Sequence, residues 1–198
     1  YVVYDHIGEG AYDKTEKKIQ ELLKEKMSRL QQKGKVASGK VEPKQVEKVS
    51  FSFKRSPEIY FGAWRNTYLG NGKTLVQGTQ ALKQPSGVKA NMLYLTGDWD
   101  IKHEYTVNSS KQAKIIFRYQ AAKVFMVAES LKGVKIKILR DGKPISNENA
   151  GSDVSNSEVN IKESKLYRLI EEKDGHGEHT LEIIIENPGL KAYTFTFG

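Results

Sequence analysis

The densest concentration of side chains able to recognise a ligand is the stretch Phe61-Gly62-Ala63-Trp64-Arg65-Asn66-Thr67-Tyr68-Leu69-Gly70-Asn71-Gly72. Its glycines mark a loop, and it gathers Trp64, Arg65, Asn66 and Tyr68 within a few positions. Aromatic faces stack on the apolar face of a pyranose while planar polar groups take its hydroxyls, so the chemistry suggested is sugar recognition. The same Trp and Tyr could instead plug the end of a β-sandwich. Arg118 and Arg168 sit in otherwise apolar runs, each beside a tyrosine. On one sheet face they would form a polar patch able to fork onto carboxylates or hydroxyls; in ordinary alternation they would simply face solvent.

Other constellations carry less. Trp99, in Gly97-Asp98-Trp99-Asp100, reads as a core residue; the flanking aspartates could instead contribute to a calcium site, which needs several further oxygens, and an Asp-x-Asp pair in a loop is common without metal. His176 and His179 lie three apart in a Gly-rich turn without further zinc ligands nearby in sequence, so no metal is assigned. Gly70-Asn71-Gly72-Lys73-Thr74 ends like a phosphate-binding loop, but position 67 is Thr and no helix pattern follows. Glu104, Glu129 and Glu158 fall on expected strands or strand ends, and nothing singles out a catalytic pair. The chain has no cysteine, which excludes a disulfide framework, a Cys-ligated zinc and a catalytic thiol. No catalytic residue and no cofactor is therefore expected.

These loops need a frame. Over 49–198, short alternating or β-branched runs recur at 49–53, 59–61, 92–95, 101–107, 113–119, 124–128, 134–139, 158–161, 166–170, 179–185 and 193–197. Explicit turns such as Asp141-Gly142-Lys143-Pro144 and Asn187-Pro188-Gly189 separate them. No long amphipathic helix intervenes, so the pattern predicts a mainly β fold, an antiparallel sandwich or jelly roll. Residues 1–33 read as strand (1–4), turn (6–10) and helix. Asp13 and Glu16 have capping-box spacing, Ile19, Leu22, Leu23, Met27 and Leu30 form one stripe, and Gly34 is placed for a C-terminal cap. Residues 34–48 have linker composition.

The charge balance, 32 Lys and Arg against 24 Asp and Glu, gives +8. The lysines are dispersed among acids rather than gathered in a stripe, so no nucleic-acid partner is expected. No apolar run is long enough for a membrane-spanning helix.

Several segments, taken in order, resemble a known family: Arg55-Ser56-Pro57-Glu58-Ile59-Tyr60-Phe61-Gly62, Leu95-Thr96-Gly97-Asp98-Trp99, Ile116-Phe117-Arg118-Tyr119-Gln120-Ala121, Leu139-Arg140-Asp141-Gly142-Lys143-Pro144, Leu166-Tyr167-Arg168-Leu169 and 189–198. They are similar to the C-terminal domain of DipZ-type thioredoxin-family proteins. There, a jelly-roll domain resembling a carbohydrate-binding module follows a thioredoxin-like domain, often behind a membrane domain. The resemblance implies that 1–33 is the last strand and helix of a thioredoxin fold, 34–48 a linker and 49–198 the jelly roll. It implies an upstream thioredoxin-like domain as partner, an extracytoplasmic or membrane-attached parent, and a carbohydrate or cell-envelope ligand. A docking domain that positions the redox domain on protein substrates is the alternative. A chain beginning mid-fold reads as a fragment. Its helix would then expose an apolar stripe that packs on the β-domain or pairs with a second copy as a homodimer.

Overall fold

The computed structural model describes residues 2–5, 12–37 and 55–198. The expected turn at 6–10, most of the linker and the strand expected at 49–53 lie outside the described residues. The chain divides into two units, Tyr1–Glu47 and Lys48–Gly198.

In the first unit, helix α1 spans Tyr12–Arg29. Asp13 falls inside the first turn, where its charge complements the helix dipole. Gln20 donates to Glu16 at 2.9 Å, and Arg29 pairs with Glu25. Glu21 meets Lys18 at 3.4 Å. The helix ends in a Schellman motif: Gln32 N–H bonds Met27 O, Gln31 N–H bonds Ser28 O, and Gln31 takes φ 50°. Gln31 therefore holds the left-handed cap position expected of Gly34. Gly34 instead lies against the Met27 methyl, where a Cβ would come within 2.8 Å. Residues 2–5 are exposed and form no strand, where a strand is expected at 1–4.

The second unit is the expected curled antiparallel β-sandwich of jelly-roll type. Its strands are β1 (Ile59–Tyr60), β2 (Gly78–Leu82), β3 (Leu93–Ile101), β4 (Thr106–Asn108), β5 (Ala113–Ala121), β6 (Lys123–Glu129), β7 (Val134–Arg140), β8 (Lys143–Pro144), β9 (Glu158–Ile161), β10 (Lys165–Glu171), β11 (Gly177–Ile185) and β12 (Lys191–Phe197). One layer runs β10-β6-β12-β4-β3 with β2 beyond β3 and β1 on β12. The other runs β3-β5-β11-β7, with β8 and β9 on β7.

Strand β3 belongs to both layers. Residues Leu93 to Thr96 pair with β5, while Gly97 to Ile101 pair with β2. The change of partner falls at Gly97, whose φ is +91°, and a Cβ there would lie 2.3 Å from Ser110 Oγ. Only glycine suits both conditions. Between the layers, alternate residues make one core around Trp99, Phe117, Tyr119, Met126, Ile183 and Phe195. Trp99 is fully buried, and its indole N–H donates to Thr96 O at 2.9 Å.

Two departures from the sequence pattern matter. The run 101–107 is not one strand: Lys102 N–H bonds Tyr105 O at 2.9 Å, closing a tight turn between β3 and β4. Strand β2 went unpredicted because it is an edge strand burying a single side chain, Leu82.

Candidate functional site

Three separate pieces of chain meet at one end of β12. Phe61 N–H bonds Tyr193 O at 2.9 Å, Ala63 N–H bonds Lys102 O at 2.8 Å, and Trp64 N–H bonds His103 O at 2.9 Å. The loop after β1 is thus laced to both β12 and the β3–β4 turn. Gly62 permits that approach, because a Cβ would sit 2.2 Å from the Glu104 carbonyl carbon.

The lacing sets up a platform. Trp64 is 65% exposed, yet its ring stacks on His103 with centroids 5.2 Å apart and planes 14° from parallel. The Arg65 guanidinium lies 4.8 Å from the Tyr60 ring centroid. Tyr60 O–H donates to Glu58, and that bond, followed by burial, holds its phenol above its ordinary value. With Glu104 and Tyr193 these residues line an open hollow of about 390 Å³. Burial, then the nearby Glu129 carboxylate, raises the Tyr193 phenol as well. The hollow therefore offers exposed aromatic faces beside one cation, one carboxylate and two hydroxyls.

Of the residues singled out in the sequence, Trp64 and Arg65 line this hollow. Asn66 does not: it is 1% exposed, and its carbonyl oxygen accepts the Leu75 N–H at 2.6 Å, pinning the loop that follows. Tyr68 is half-buried against the core, and its backbone is fixed to Leu93. Arg118 lies on β5 in one layer, paired with Glu178 at 2.8 Å, and Arg168 lies on β10 in the other layer. The two arginines thus belong to different sheets and form no shared patch. Tyr60, His103, Glu104 and Tyr193 were not singled out as a group. Their juxtaposition depends on a turn, 102–105, that contains neither Gly nor Pro.

No metal-binding cluster of three or more His, Asp or Glu occurs among the described residues. Without cysteine, the chain has no thiol–disulfide chemistry of its own.

No curated protein matches the chain. Among solved structures, it is similar to that of a family two carbohydrate esterase from Cellvibrio japonicus, with 15% identity and a TM-score of 0.43. The likeness covers 62% of this chain and 33% of the other, so this chain spans about a third of that protein's length. The sequence profile of the family described as "Thioredoxin like C-terminal domain" matches residues 56–198, the whole of the sandwich from just before β1. The chain belongs to this thioredoxin-like C-terminal domain family.

Proposed function

We propose that the β-sandwich is a non-catalytic glycan-binding module, of the kind attached to DipZ-type thiol–disulfide oxidoreductases, with the Trp64–His103 stack as its sugar platform. Redox chemistry in such a protein belongs to a thioredoxin-like domain outside this chain. The observation that carries the reading is the exposure of Trp64 in a fixed orientation. A large indole left in water forgoes burial worth about 25 cal/mol per Å². A stack on a second ring, with the backbone on both sides hydrogen-bonded, holds its free face ready for a flat apolar partner. A sugar ring supplies such a face, and Arg65, Glu104 and the two tyrosines supply partners for its hydroxyls. A protein-docking surface would want a contiguous apolar patch, whereas this hollow mixes aromatic and charged groups.

The experiment is a glycan array probed with the natural protein and with Trp64→Ala. The reading expects selective binding that falls at least about tenfold in the variant, the equivalent of roughly 1.4 kcal/mol, with thermal stability unchanged. An array without hits, or hits indifferent to Trp64, would exclude it.

A further inference from the structure

We infer that the module takes a glycan chain rather than a single sugar, with the Trp64–His103 stack between two subsites. This rests on the glycan reading above and extends it to a second hollow, of about 620 Å³, lined by Gln77. The two hollows adjoin through one contact: Gln77 Nε2, on the second, lies 2.5 Å from His103 Nε2, on the first. Either hollow alone falls in the roughly 300–1,000 Å³ range of small-ligand sites, so together they exceed what one sugar ring fills.

The second hollow has a fixed floor. Asn71 donates its amide to Lys83 O at 2.8 Å and Leu95 O at 2.6 Å, and its oxygen accepts the Leu95 N–H at 3.1 Å. Gln80 grips the backbone of Lys73 twice, accepting its N–H at 2.7 Å and donating to its carbonyl at 3.0 Å. Gly70 and Gly72 keep the turn flat against the sheet: a Cβ on Gly70 would lie 2.6 Å from the Tyr94 ring, and one on Gly72 would lie 2.8 Å from Gln80 Oε1. A site whose floor is already ordered loses little entropy on binding. Lys73 and Gln77 also line this hollow. Both are hydroxyl-recognising groups, and Lys73 has no carboxylate partner among the described residues.

Gln77 also has a positioning part. The Gln77 amide holds the His103 ring through Nε2, and the same ring stacks along Trp64. The shared contact thus ties the second hollow to the platform. A chain lying across the junction would meet first aromatic faces and then the Gln77 amide and Lys73, matching the ring faces and hydroxyl edges of a sugar polymer.

The test is calorimetric titration of the whole chain with cello-oligosaccharides and chito-oligosaccharides, from monosaccharide to hexasaccharide. Affinity in the series that binds should rise about tenfold or more with length. Lys73→Ala, an exposed change, should lower hexasaccharide affinity about threefold to tenfold and leave the monosaccharide unchanged, while Trp64→Ala should weaken both. Length-independent affinity, or a Lys73→Ala protein indistinguishable from the natural one on the hexasaccharide, would overturn the two-subsite inference and leave the platform standing. Failure of every member of both series, together with an empty array, would remove the platform reading itself.

Discussion

Trp64 and Asn66 stand two positions apart, one in water and the other buried. Composition marked both, because a loop rich in Gly, Trp, Asn and Tyr is conspicuous whichever way each side chain turns. What decides the direction is the hydrogen bonding of the backbone to segments far along the chain, which no local pattern encodes. The same holds for a buried polar cluster around Glu172. Buried Glu172 accepts Tyr119 O–H at 2.5 Å and a two-pronged contact from Arg140, at 3.0 Å to Oε1 and 2.8 Å to Oε2. Arg140 also reaches His179 Nε2 at 2.7 Å, and His179 Nδ1 faces Asp141 at 2.7 Å. Since a guanidinium only donates, His179 Nε2 accepts and Nδ1 carries the proton toward Asp141. Burial, and then Glu172, pushes the Tyr119 phenol well above its ordinary value. Glu172→Ala would strand a guanidinium and a phenol, and we expect a loss of about 3–5 kcal/mol in urea unfolding. Tyr119→Phe, which leaves the Arg–Glu pair intact, should cost only about 1 kcal/mol. Equal effects would show that the ion pair has no special weight.

At the scale of elements, most strands were legible because their apolar faces alternate against one core. Strand β9 occupies the expected 158–161, and β5, β6, β7, β10, β11 and β12 each contain their expected runs. The failures share a cause. Strand β2 buries too little to leave a period, and the break at 102–105 is made by Lys-His-Glu-Tyr, which carries no turn signal. That break delivers His103 and Glu104 to the hollow, so the missed turn and the missed site residues are one omission. Strand β3 crosses between layers at Gly97, a residue that composition alone would read as a turn. Gly97→Ala meets both a left-handed backbone and the Ser110 hydroxyl. It should cost about 1–3 kcal/mol, seen as a lowered Tm in calorimetry. Ser110→Gly in the same chain should restore only part, because the backbone strain stays. Full restoration would assign the whole cost to the clash.

For the molecule as a whole, the dispersed charge has a thermodynamic consequence. Burial alone would raise Asp141 and Asp153, but the Thr180 and Arg168 amides, with His179 and Lys165, outweigh it and hold both below their ordinary 3.8. The Lys191 hydrogen bond likewise holds Glu129 below 4.5. A carboxylate depressed in the folded state contributes stability that is complete above its unfolded pKa and lost as pH falls through the folded one. Urea unfolding should therefore change little through these groups from neutrality to about pH 5 and decline below about pH 4. Asp153→Asn should flatten that acid limb; an unchanged limb would exclude Asp153 as a contributor. The net charge of +8 adds self-repulsion that grows as the acids protonate.

The claim on which the functional account turns is that Trp64 presents its face to a sugar. The chain has two tryptophans, one on the platform and one sealed in the core against Thr96 O. A nitrogen–proton correlation spectrum recorded while titrating cellohexaose or chitohexaose reads the two indole N–H signals separately. The account predicts a saturable shift of the Trp64 signal, accompanied by the His103 and Gln77 amides, with the Trp99 signal stationary. A Trp64 signal unmoved at saturating concentrations of both sugars would contradict it.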